Sequence, residues 1–92
     1  MSDEPVEVPI DGVLDLHTFQ PREVKQLIAD YLDECLARGI LDVRIIHGKG
    51  TGALRRTVHA VLERLEIVES FGQGENWGAT VVRLKAGQTS TR

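Results

Sequence analysis

Ninety-two residues, 41% apolar and 27% charged, suffice for one globular domain and are too few for two. The single cysteine, Cys35, excludes an intrachain disulfide and a thiolate metal cluster, and no apolar run nears the roughly 20 residues that span a bilayer. The net charge of −3 would repel a polyanion if it were spread evenly, but it is not: residues 1–42 carry ten acids against three bases, residues 43–65 carry five bases (Arg44, Lys49, Arg55, Arg56, Arg64) against Glu63 alone, and residues 66–92 carry three of each. Such a basic stretch either attracts phosphate or coats a solvated helix face; charge alone does not choose between them.

Residues 1–9 are acidic, with prolines at 5 and 9, and read as a flexible tail. They lack the apolar stretch of a secretion signal, so a reducing cytoplasm is the expected compartment. Gly12 to His17 reads as a short strand with Leu14 and Leu16 on one face and Asp15 and His17 on the other. Pro21 suits the first turn of a helix, and Gly39 suits the position just past its end. Between them Val24, Leu27, Ile28, Tyr31, Leu32, Cys35 and Leu36 form a continuous apolar stripe. Cys35 is thus a small buried hydrophobe.

Asp42–Ile46 is rich in β-branched residues and predicts a second strand. It runs into His47-Gly48-Lys49-Gly50-Thr51-Gly52, where three glycines in five positions demand an absence of side-chain bulk. A second helix follows, with Leu54, Val58, Val61, Leu62 and Leu65 on its apolar side and His59 read as a surface residue. Glu66–Phe71 and Ala79–Leu84 predict two further strands, joined as an antiparallel hairpin across the turn-rich Gly72–Gly78 connector. Trp77, in that connector, reads as a plug at the end of the core, with stacking on an unpaired base as the alternative. Residues 86–92 read as a second flexible tail, leaving one domain over 10–85.

The resulting order is βαβαββ. Right-handed crossovers place both helices on one face of a four-stranded mixed sheet, giving a two-layer α/β sandwich. The other face stays open and carries Asp15, Arg44, Val81 and Arg83. Strands one and two end at Asp15-Leu16-His17 and His47-Gly48-Lys49-Gly50, so both motifs are expected at the same sheet edge, where loops of such folds collect function.

The glycine turn enters the second helix at its N-terminus, where backbone amides and the helix dipole favour an anion. Gly48, Lys49, Gly50, Thr51, Gly52, Arg55 and Arg56 are the expected phosphate-binding residues. The turn lacks the G-x-x-x-x-G-K-[ST] order, so nucleotide hydrolysis is not expected. His17 and His47 offer two imidazoles suited to proton transfer on a phosphodiester, with Asp15 orienting His17. Asp15, His17 and His47 are therefore the candidate catalytic residues. Asp15 is also the residue that would hold a divalent magnesium or manganese ion, while the absence of H-x-x-x-H spacing argues against zinc.

Three blocks together resemble the Smr (small MutS-related) domain family: Leu14-Asp15-Leu16-His17, Val43–Gly52 followed by Leu54-Arg55, and Gly78–Leu84. The resemblance spans about residues 13–84, and its middle block is long and specific. It implies a fold similar to the C-terminal domain of bacterial translation initiation factor three. It also implies an endonuclease acting on DNA or RNA, often structured or branched, through the D-x-H and H-G-x-G motifs. These correspond here to Asp15 with His17, and to His47 with Gly48 and Gly50. Thr18 stands where many relatives have glycine, which points to a stand-alone subgroup. Two other readings remain open: a non-catalytic nucleic-acid- or ribosome-binding module using the same edge, and a protein-interaction module using the open sheet face.

Overall fold

The computed structural model describes residues 10–17, 19–50, 52–74 and 78–86. Thr51 and Trp77, together with residues 1–9 and 87–92, lie outside the described set. The elements run β1 (Val13–Asp15), α1 (Pro21–Ala37), β2 (Asp42–Ile46), α2 (Ala53–Arg64), β3 (Val68–Gln73) and β4 (Ala79–Leu84). The sheet order is β1-β2-β4-β3, with β1 parallel to β2 and β4 antiparallel to both β2 and β3. The final hairpin therefore inserts β4 between the two crossover-linked strands, and the expected four-stranded mixed sheet with two helices is the one found.

Strand alternation decides which side is packed. Leu14, Val43, Ile45, Thr80, Val82 and Leu84 point to the helices and are buried, whereas Val13, Asp15, Val81 and Arg83 on the other face are exposed. Val24, Ile28, Tyr31, Leu32, Cys35 and Leu36 of α1 and Val58, Val61 and Leu62 of α2 close this core. Each such aliphatic side chain contributes roughly 1.5–3 kcal/mol on full burial. On the open face, Arg83 donates to both carboxylate oxygens of its cross-strand neighbour Asp42, at 2.8 and 3.0 Å.

The helix ends follow from local chemistry. The Gln20 N–H donates to the Glu23 carboxylate just ahead of Pro21, which satisfies an orphan donor at the start of α1. At its end Gly39, with φ of 78°, allows Ile40 N–H to reach the Cys35 carbonyl at 2.8 Å and Gly39 N–H the Leu36 carbonyl at 3.1 Å. The Tyr31 hydroxyl accepts from Gly12 N–H and donates to the Val13 carbonyl, tying α1 to the start of the edge strand.

Two strands differ from expectation at both ends: β1 begins at Val13 rather than Gly12, and β3 runs on to Gln73 rather than ending at Phe71. β1 stops at Asp15 rather than His17, because the Asp15 carboxylate captures the His17 backbone N–H and turns the chain. β3 starts at Val68 rather than Glu66, because Val68 N–H closes a turn on the Leu65 carbonyl and a register shift follows between Val68 and Ser70. Among the described residues no helix is long and apolar enough to cross a membrane.

Candidate functional site

The two motifs do reach the same edge of the sheet. Asp15 pairs with Ile46, and Leu16 N–H donates to the Ile46 carbonyl at 2.9 Å, so the chain segments ending in His17 and His47 leave the sheet side by side. One oxygen of Asp15 receives both the backbone N–H of His17, at 3.0 Å, and its ring Nδ1, at 2.7 Å. This doubled contact explains the two-residue spacing: the carboxylate that makes the turn also fixes the imidazole. A carboxylate oxygen only accepts, so Nδ1 carries the proton and Nε2 is left with a free lone pair. The His17 side chain is 72% exposed, which opens that lone pair to solvent. The hydrogen bond from the His17 ring, and then the one from its backbone, hold the Asp15 carboxyl below its usual value.

Past His17 the chain folds back, with Phe19 N–H donating to the Leu16 carbonyl, and Phe19 and Pro21 become one wall of a cleft of about 320 Å³. The facing wall is the glycine turn and the first turn of α2: His47, Gly48, Lys49, Gly50, Gly52, Ala53, Leu54 and Thr57. Gly48, Gly50 and Gly52 all have positive φ, at 82°, 28° and 88°, a repeated left-handed geometry open to glycine and strained for side-chain-bearing residues. Gly48 N–H and His47 N–H share the Gly78 carbonyl, each at 2.9 Å, which anchors the turn to the residue preceding β4.

The electrostatics of α2 are inverted relative to an ordinary helix start. Its N-cap, Gly52, offers no side-chain cap, its first turn has no acid, and Arg55 and Arg56 stand there instead. None of Lys49, Arg55 and Arg56 forms an ion pair among the described residues. The Arg55 Nε is buried and has no hydrogen-bond partner. Positive charge without an ion-pair partner among the described residues thus stands in the cleft wall at Lys49 and in the first turn of α2 at Arg55 and Arg56.

A family model described as the Smr domain matches residues 14–85. The chain belongs to the Smr family. Over 81 residues it is 37% identical to Endonuclease MutS2 of Halothermothrix orenii, and over 82 residues 43% identical to Endonuclease MutS2 of Listeria welshimeri. Each match takes in 84% of this chain and 10% of the relative, so the chain spans a tenth of the length of those proteins. The Smr domain of Thermus thermophilus MutS2 superposes with a TM-score of 0.76 at 35% identity, covering 82% of this chain and 99% of that one. YdaL, a stand-alone small MutS-related protein from Escherichia coli, superposes with a TM-score of 0.75 at 25% identity, covering 80% and 64%.

Within this Smr domain one expected residue faces the wrong way for its assigned chemistry. His47 follows Ile46, which shares the open face with Asp15, so alternation turns His47 toward the helices. Its side chain is buried, the residue being only 6% exposed. Its Nδ1 lies 2.9 Å from the Gly48 carbonyl and its Nε2 lies 2.9 Å from the Thr80 hydroxyl. With both ring nitrogens engaged, His47 is not a second solvent-facing imidazole partnering His17. His59 departs from expectation in the opposite sense. It is half-buried, with its ring edge-on to Phe71 at 5.0 Å and its Nε2 2.8 Å from the same Thr80 hydroxyl. Burial, then the charge of Arg55, push the His59 imidazole below its usual value, against a smaller opposite pull from Glu63. The signal for this pair was Thr80: strand alternation turns a hydroxyl into the core beside Val82 and Leu84, where it must find a partner.

Proposed function

We propose that this Smr domain cleaves phosphodiester bonds in DNA or RNA of structured or branched form. The observation that carries the reading is the exposed His17 imidazole, held by Asp15 at the same sheet edge from which the glycine turn and its Lys49-lined cleft emerge. His17 accepts at Nε2 a proton from the attacking water or, on RNA, 2′-hydroxyl, and Asp15 stabilises the imidazolium that forms. As the new P–O bond forms, the P–O bond to the departing sugar oxygen breaks, and that oxygen takes its proton from solvent water. Gly48, Gly50 and Gly52 provide close backbone approach, and Lys49, Arg55 and Arg56 provide charge, to hold a backbone phosphate and offset the negative charge that builds up during attack. His47 acts as a support for the turn and not as a proton donor to substrate.

Among the described residues no three His, Cys, Asp or Glu side chains gather as a metal site. A magnesium or manganese ion would have Asp15 as its protein carboxylate and take its other ligands from phosphate oxygens and water, adding charge neutralisation at the phosphate. The test is incubation of purified protein with linear and branched DNA and RNA, with and without each ion. Cleavage should drop at least ~100-fold in His17→Ala, the lower end of general acid–base contributions, while binding persists. Equal cleavage by wild type and His17→Ala would remove the catalytic assignment. The burial of His47 favours one second reading: with a single exposed imidazole, the same edge serves as a binding surface without catalysis. Binding sensitive to Lys49→Ala with no strand breaks on any substrate would establish that alternative.

A further inference from the structure

We propose that His59 is a positioning residue for the glycine turn, acting through Thr80 and His47 on the Gly48 peptide. The proposal extends the phosphate-binding role given to that turn and rests on it for its functional meaning. The donors and acceptors can be assigned one by one. The Gly48 carbonyl only accepts, so the 2.9 Å contact requires a proton on His47 Nδ1. In the neutral ring Nε2 is then an acceptor, and its hydrogen-bond partner among the described residues is the Thr80 hydroxyl at 2.9 Å, which must donate to it. Thr80 has one proton, now spent. Its contact with His59 Nε2 at 2.8 Å therefore requires His59 to donate.

The chain reads His59 N–H to Thr80 oxygen, Thr80 O–H to His47 Nε2, and His47 Nδ1–H to the Gly48 carbonyl. Reversing it would need a proton on both nitrogens of His47, a cation in a site 6% exposed with no ion-pair partner among the described residues. Four elements are thereby joined, since His59 is on α2, Thr80 on β4, His47 at the end of β2, and Gly48 in the turn. Gly48 holds a left-handed φ of 82° with open space around its Cα, so no packing contact at that position selects the geometry. The bond to its carbonyl and the one from its N–H to Gly78 orient the peptide planes on either side of it. Aim of the amides in the turn is thus set from α2.

The experiment reads the ring nitrogens of His47 by long-range proton–nitrogen NMR, and inorganic phosphate affinity by titration of the turn amides. Wild type should show His47 protonated at Nδ1. Thr80→Val, which keeps the shape and removes the hydroxyl, should shift both ring nitrogens and the Gly48, Lys49 and Gly50 amides and weaken phosphate by about 3- to 10-fold, the range for one lost hydrogen bond. Thr80→Ser should restore all three. His59→Phe, at a half-buried position, should give the same signature, and His59→Gln, which retains an N–H donor, should reverse it. A wild-type His47 protonated at Nε2 would overturn the relay. So would unchanged His47 and turn signals in both Thr80→Val and His59→Phe. If wild type binds no phosphate, the proposed function of the turn falls, and the ring-nitrogen and amide signals alone decide the relay.

Discussion

Asp15 makes one oxygen serve a backbone amide and an imidazole, and this sharing sets what its replacement should do. Asparagine keeps an oxygen for the His17 amide but removes the charge that would stabilise an imidazolium. Asp15→Asn is therefore expected to fold and bind as wild type and to lose at least ~100-fold in cleavage, measured as kcat/KM on the best substrate. Because His17 holds the Asp15 carboxyl below 3.8, folding depresses this group, and the stability it lends is present above 3.8 and fades as pH falls further. An acid limb of activity well above that pH would therefore not come from Asp15. His59 gives a second pH dependence. Burial foremost, and then Arg55 against the smaller pull of Glu63, depress it below 6.5, so the unfolded chain takes up a proton before the folded one does. Stability should be full above 6.5 and decline as pH falls below it, through the lowered folded value. Urea midpoints measured from pH 8 to 5 should fall less steeply in His59→Phe, and identical slopes would contradict the assignment.

At the level of elements, α2 carries two arginines and no acid in its first turn, and its N-cap residue Gly52 has no side chain to cap it, a start that its own dipole disfavours unless an anion is bound. Inorganic phosphate should therefore raise the unfolding free energy beyond chloride at equal ionic strength, by about 1.4 kcal/mol at ten times its Kd. The gain should shrink in Lys49→Ala and Arg55→Ala, and a thermal shift that depends on ionic strength alone would refute a specific seat. Most elements were legible in the sequence because each satisfies two signals at once. α1 has an apolar stripe bounded by Pro21 and Gly39, and β2 and β4 have β-branched residues, the first ending at a glycine-rich turn and the second starting from one. β3 was placed two residues early because Glu66 and Ile67 look strand-like, yet they are consumed in the turn on Leu65 that ends α2. In the site, Asp15 and His17 could be read together because two-residue spacing puts them on one face. His47 could not, since its direction depends on where β2 stops alternating. His59 and Thr80 meet only through tertiary packing of α2 on β4, which local periodicity does not encode.

For the whole molecule the question is how a chain of net charge −3 would hold the polyanion proposed as its substrate. The acids lie mainly in residues 1–42, whereas Lys49, Arg55 and Arg56, with no ion pair among the described residues, lie in the glycine turn and the first turn of α2. Attraction would thus be local and survive only within about a Debye length, ~8 Å at physiological salt. Binding should therefore be salt-sensitive with a shallow slope, set by the few phosphates within reach of Lys49, Arg55 and Arg56. On duplex DNA each neutralised phosphate contributes about 0.9 to the slope of log affinity against log salt, and about 0.7 on single strands. Lys49→Ala should lower the slope by about that single increment. Arg83→Ala offers the matched control: this arginine lies on the open face and is already paired with Asp42 at 2.8 Å. If nucleic acid stays at the glycine edge, its removal leaves the slope unchanged. If the strand instead runs across the open sheet, Arg83→Ala and Arg44→Ala will each lower the slope as Lys49→Ala does, and the interface must be redrawn to include that face.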